Sequence, residues 1–155
     1  MDTIRFELNT RPVSWEGQAS ARLLDTLRRD FSCLSVKCGC GEGECGACAV
    51  LVDGRLMNSC CVAMGAVDGK KILTLEGFRE TPQFAALNRA FADFSAVQCG
   101  FCTPGMVLAA HALLTARPDP SEAEIREGLS GNLCRCTGYN AIVNAVKAAA
   151  KEGLW

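Results

Sequence analysis

The chain has 155 residues, enough for one ordinary domain or two small ones, and a formal net charge of -1 with 21% charged residues, which leaves no basic footprint for nucleic acid. No apolar run reaches the roughly 18 residues of a membrane helix, and the N-terminal MDTIRFELNT has neither the basic and apolar regions of a secretory signal nor a twin arginine, so a cytoplasmic location without a membrane span is expected. In that reducing compartment the 11 cysteines speak for metal or redox chemistry, and their odd number argues against a fully paired disulfide framework.

In chain order, TIRFELN places Ile4, Phe6 and Leu8 on one face and Arg5 and Glu7 on the other, the period of a half-buried strand. Asn9 to Pro12 supplies a turn and VSW starts a second strand. Ser20 then reads as the cap of a helix with Leu23, Leu24, Leu27 and Phe31 on one face. After a cysteine-rich loop, AVLV, the Asp53-Gly54 turn and RLM read as a hairpin, and KILTL as a last strand. These elements predict a small α+β unit ending near Gly77, with Phe78 to Thr81 as a brief linker.

From Thr81 the period becomes helical. Thr81-Pro82 is a start signal ahead of Phe84, Leu87 and Phe91, and Thr103-Pro104 repeats it ahead of Val107, Ala110, Leu113 and Leu114. Ser121 to Glu124 form a capping box leading into Ile125 and Leu129, and Ile142, Val143 and Val146 stripe a fourth helix. The expectation is an α+β domain over residues 1–78 followed by an all-α four-helix bundle over residues 79–155.

The cysteines follow the same division. Cys40, Cys45 and Cys48 stand at C-x4-C-x2-C, with Cys60 after eleven intervening residues, the spacing of a plant-type 2Fe-2S site. Gly39, Gly41, Gly43 and Gly46 leave room for backbone N–H groups to reach the excess negative charge on such sulfurs. A structural zinc site of four cysteines is the alternative, although zinc more often pairs two C-x2-C knuckles. The second constellation is Cys99 and Cys102 with Cys134 and Cys136. Two loops between helices can bring these into one four-thiolate site for a second cluster, with zinc or a thioredoxin-like dithiol as the other readings.

What is missing narrows the chemistry. His111 is the only histidine, so a Rieske centre cannot be built, and neither C-x-x-C precedes a histidine as c-type haem attachment demands. His111 itself reads as a surface or packing residue. No Walker loop, dinucleotide fingerprint, triad or paired-carboxylate site is present. The residues suit electron carriage and offer no bond chemistry of their own.

Across essentially its whole length, through KCGCGEGECGACAVLVDG, QCGFCTPGM and GNLCRCTGYN, the chain resembles the iron–sulfur subunit of the xanthine dehydrogenase and aldehyde oxidoreductase family of molybdenum hydroxylases. That resemblance implies a β-grasp, ferredoxin-like first half and a helical second half, each holding a 2Fe-2S cluster. Cys40, Cys45, Cys48 and Cys60 would hold the cluster nearer a flavin, and Cys99, Cys102, Cys134 and Cys136 the cluster nearer molybdenum. Gln98 would hydrogen-bond the pterin of the molybdenum cofactor, and Cys136 would lie beside its amino group.

The resemblance further implies an electron-transfer subunit working with a large molybdenum-cofactor subunit and a medium FAD subunit, in a heterotrimer or its dimer. The partner would hydroxylate an N-heterocycle or an aldehyde with oxygen from water. A freestanding two-cluster ferredoxin is the alternative. Ala49 stands where the family commonly has threonine, and Cys38 and Cys61 each sit within two residues of an implied ligand, which makes a swap between Cys60 and Cys61 conceivable. Cys33, at the helix end, reads as a small buried hydrophobe.

Overall fold

The computed structural model describes residues 1–155. Five strands, β1 (Asp2–Leu8), β2 (Arg11–Gly17), β3 (Ala49–Val52), β4 (Arg55–Asn58) and β5 (Lys71–Leu73), form one mixed sheet in the order β2-β1-β5-β3-β4. Only the β1–β5 pair is parallel. Both hairpins close through two residues with positive φ, Asn9 and Thr10 in the first and Asp53 and Gly54 in the second. Such turns match the right-handed twist of the flanking strands.

Six helices accompany the sheet: α1 (Leu23–Arg29), α2 (Leu75–Phe78), α3 (Pro82–Asp93), α4 (Thr103–Ala116), α5 (Glu122–Gly128) and α6 (Asn140–Ala150). None is long and apolar enough to cross a membrane. One face of the sheet buries Ile4, Phe6, Leu8, Val50 and Val52 against Leu23, Leu24 and Leu27 of α1. The other face contributes Leu51 to a larger core built from α2 to α6, with Leu56 and Leu73 packed against it. Strand β3 is therefore buried along its whole length, and the chain is layered as α1, sheet and helices.

Helix α4 lies against β3 and β4 and buries Met106, Val107, Leu108, Ala109, Ala110 and Leu114. A helix apolar on nearly every side belongs at the centre of a core. Leu108→Ala is expected to cost about 3 kcal/mol through lost burial and a residual cavity, measured by denaturant unfolding against the parent chain.

Several local signals hold. Thr81 accepts from the Phe84 N–H, with Pro82 in the first turn, and Ser121 and Glu124 make a reciprocal capping box. Others give way to tertiary structure. The expected cap at Ser20 is displaced: α1 begins after Arg22, which has no side-chain cap, because Arg22 bridges Ala63 and the Leu23 N–H donates to the Val62 carbonyl. Thr103 is the first residue of α4, with Cys102 in the capping position. The last strand stops at Leu73, and the stretch expected as a linker carries the end of α2, whose Phe78 is buried in the larger core.

His111, in α4, packs its ring 4.4 Å from that of Phe78 and 5.5 Å from that of Trp155, a packing role as expected. Its Nδ1 is buried without a hydrogen-bond partner, and burial lowers its pKa. As pH falls, the unfolded chain therefore takes up this proton first. The contribution of His111 is intact above the ordinary histidine value of about 6.5 and is lost progressively below it, towards the depressed folded value. His111→Phe, which keeps a ring and removes the orphan nitrogen, is expected to stabilise by about 1 kcal/mol at neutral pH. It should also flatten the acid loss of stability, as read from thermal melts of both chains at matched pH values.

Candidate functional site

The first cysteine loop runs from the end of the α1 region to β3. The Lys37 N–H donates to the Ala47 carbonyl at 3.0 Å and closes it. Within it the Cys40 sulfur accepts from the backbone N–H groups of Glu42, Glu44 and Cys45 at 3.5, 3.3 and 3.4 Å. These donors favour the thiolate and lower the Cys40 pKa to about 6. The Cys40 N–H in turn points at the Cys45 sulfur at 3.4 Å.

Cys48 and Cys60 form the buried side of this group. The Ser59 hydroxyl and N–H both donate to the Cys48 carbonyl, at 2.7 and 3.2 Å, and clamp the loop to the 3-10 turn Ser59–Cys61. Cys48 and Cys60 are both buried here, and burial pushes Cys48 up to about 11. Cys61 is exposed, with its sulfur 3.7 Å from that of Cys60. Cys38 is exposed too, whereas Cys33 is buried in the core beneath α1, where burial raises its pKa.

The second group comes from two loops, one between α3 and α4 and one between α5 and α6. The Cys99 and Cys136 sulfurs are 3.5 Å apart at the surface. Cys102 and Cys134 are half-buried, and burial pushes Cys102 up to about 12. Burial acts in the same direction on Cys134, but the Thr137 hydroxyl, 3.1 Å from its sulfur, and backbone N–H groups outweigh it and leave that thiol lowered. The Tyr139 hydroxyl accepts from the Cys134 N–H at 2.9 Å, and the Gln98 side-chain amide donates to the Cys136 carbonyl at 3.1 Å. All four cysteines, together with Cys45, line one cleft of about 560 Å³.

The two loops meet. The Leu133 N–H donates to the Cys45 carbonyl at 2.9 Å, and Asn132, 4% exposed, donates from Nδ2 to the Gly46 carbonyl at 3.1 Å. The approach is so close that a Cβ on Gly105 would stand 2.4 Å from the Gly46 oxygen, and one on Gly46 would stand 2.4 Å from the Gly131 oxygen. Thr137, Tyr139 and Asn132 were not singled out by the sequence reading. Their signal is present as polar residues within five positions of Cys134, but the contacts themselves depend on where the loops meet.

The donor chemistry fits iron–sulfur clusters: eight thiols, no competing histidine, and backbone N–H groups aimed at sulfur. Sulfur meets sulfur at Cys99–Cys136 and Cys60–Cys61, and no three side chains converge as they would around a single ion.

Residues 5–87 match the family described as the 2Fe-2S iron-sulfur cluster binding domain, and residues 74–147 match the 2Fe-2S binding domain family. The chain is thus a 2Fe-2S protein with a binding domain of each kind. It is 49% identical over 150 residues to the nicotinate dehydrogenase small FeS subunit of Eubacterium barkeri, covering 97% of this chain and 96% of that one. It is 46% identical over 147 residues to the xanthine dehydrogenase iron-sulfur-binding subunit of Escherichia coli O157:H7, covering 93% and 91%. Among solved structures, quinoline 2-oxidoreductase from Pseudomonas putida 86 superposes with a TM-score of 0.91 at 39% identity, over 97% of this chain and 94% of the matched chain. The chain belongs to the iron–sulfur subunits of the xanthine dehydrogenase and aldehyde oxidoreductase family of molybdenum hydroxylases. It carries electrons within a multi-subunit oxidoreductase.

Proposed function

We propose that Cys40, Cys45, Cys48 and Cys60 hold one 2Fe-2S cluster, that Cys99, Cys102, Cys134 and Cys136 hold a second, and that the chain relays electrons from a molybdenum-cofactor subunit to an FAD subunit. The grouping of the thiols carries this reading: the Cys40 N–H meets the Cys45 sulfur and Cys48 and Cys60 are buried beside that loop, while the Cys99 and Cys136 sulfurs meet and share one cleft with Cys102 and Cys134. A two-iron cluster takes two thiolates on each iron, so each group supplies the four thiolates that one cluster needs. Bound, the clusters supply two one-electron carriers in series.

The chain's own residues prepare and connect these positions. The N–H groups around Cys40 and the Thr137 hydroxyl at Cys134 hold thiolate charge before any metal arrives. The Leu133 N–H to Cys45 carbonyl bond spans the two groups, with Leu133 bonded directly to Cys134, and so gives a short covalent and hydrogen-bonded bridge between them. Exposed Val97, Phe101 and Leu133 surround the outer edge where Gln98 bonds the Cys136 backbone. An apolar patch beside exposed ligands supports docking of the molybdenum subunit there, with Gln98 and Cys136 facing the pterin.

In this reading residues 1–78 are a β-grasp domain and residues 79–155 a four-helix bundle. The assembly is a heterotrimer with the two larger subunits, or its dimer, at work in the cytoplasm. The partner's reaction is hydroxylation of an N-heterocycle or an aldehyde with water-derived oxygen. The test is the metal content of the complex that co-purifies with the tagged chain from its host. Molybdenum with about four irons per chain, beside two larger subunits, is the expected result. Iron without molybdenum or partners would indicate a freestanding ferredoxin, and zinc in place of iron would overturn the ligand assignment.

A further inference from the structure

We propose that Cys61 is a second, exchangeable ligand position for the first cluster, able to take over from Cys60; this rests on the ligand reading above. The 3-10 turn Ser59–Cys61 points Cys60 inward, 5% exposed, and leaves Cys61 exposed, yet the two sulfurs are only 3.7 Å apart. Rotation about χ1 moves a cysteine sulfur by about 3 Å, so a side-chain rotation closes most of that gap without moving the chain.

A separate observation shows which way the Cys61 thiol leans. A Cβ on Gly43 would stand 2.8 Å from the Cys61 sulfur, so this thiol rests on the loop that wraps Cys40 and faces the site. The Asn58 side-chain amide donates to the Gly43 carbonyl at 2.7 Å, which ties the strand leading into this turn to that loop and keeps the thiol in place over it. Cys33 has no such position, since its thiol sits in the core and donates to the Phe31 carbonyl at 3.7 Å.

The exchange is a thiolate substitution without electron transfer. The iron–sulfur bond to Cys60 breaks, one to Cys61 forms, and the Cys61 thiol proton passes to the Cys60 thiolate. The consequence is a cluster position that survives oxidation or alkylation of its Cys60 ligand.

The test uses the chain in its complex, with iron content and the EPR spectrum of the reduced protein as readouts. The second cluster's signal serves as an internal standard for folding. Cys60→Ala is expected to keep both signals, the first with shifted g values, and the double variant Cys60→Ala with Cys61→Ala is expected to lose the first signal only. Loss of the first signal in Cys60→Ala, with the second intact, overturns the proposal; so does its persistence in the double variant. Cys60→Ser, closer in size to cysteine, gives an independent comparison. Identical spectra for C60S and C60S/C61A overturn the exchange, while a sulfur-type spectrum in the first and an altered or absent one in the second supports it. Absence of both signals from the parent complex would instead overturn the underlying ligand reading.

Discussion

Cys102→Ser is expected to remove or alter one of the two 2Fe-2S EPR signals, leave the other, and lower the iron content of the complex towards half. Cys102 sits at the start of α4, half-buried, so under the proposed ligand assignment its loss deprives one iron of a ligand at a position no neighbouring cysteine fills. The first group should survive, because its loop has its own fastenings: Lys37 to Ala47, Asn58 to Gly43 and Ser59 to Cys48. Cys45→Ser makes the reciprocal experiment, with the other signal affected. Loss of neither signal in Cys102→Ser would contradict the assignment of the second group.

The second large effect concerns the junction. Gly46→Ala puts a Cβ at 2.4 Å from the Gly131 oxygen, at a backbone position with φ +70°. Left-handed strain and overpacking against backbone together are expected to cost about 3 kcal/mol. Both EPR signals should change as well, since the two loops cannot keep their contact. Gly54→Ala is the control: its φ is +78° but nothing lies within 4 Å of the added atom. Strain alone should cost it about 1 kcal/mol, with both signals unchanged. Equal melting temperatures and equal spectra for the two variants would show that the close approach at Gly46 does not matter. Gly105→Ala, which meets the Gly46 oxygen from the other side, should behave as Gly46→Ala does.

Much of this site was legible because its signals are short-range. The C-x4-C-x2-C spacing, the C-x-x-C and C-x-C pairs, the Thr81-Pro82 start and the Ser121 capping box each lie within a few residues, where local geometry alone gives them meaning. The Asp53-Gly54 hairpin is of the same kind. The Ser20 cap failed for the opposite reason. A residue 41 positions away, Ala63, pairs with Arg22, and that backbone bridge outweighs a capping side chain. Phe78 looked like a linker because a short helix carries no period to read, and its burial depends on Phe84 and His111 arriving from later elements.

By itself, then, the sequence determined the class of chemistry: eight cysteines at informative spacings, with no other metal-binding or nucleophilic constellation beside them, point to thiolate-bound metal, and the three cysteine motifs in register carry the resemblance to iron–sulfur electron carriers. Tertiary structure alone decided how the two groups relate. Cys99 meets Cys136, Cys102 shares a cleft with Cys134 and Leu133 meets the Cys45 carbonyl only because α4 packs on β3 and brings together loops that are 32 to 88 residues apart in the chain. Contacts at such separations are fixed by layer packing and sheet order, to which no spacing rule within a single loop refers.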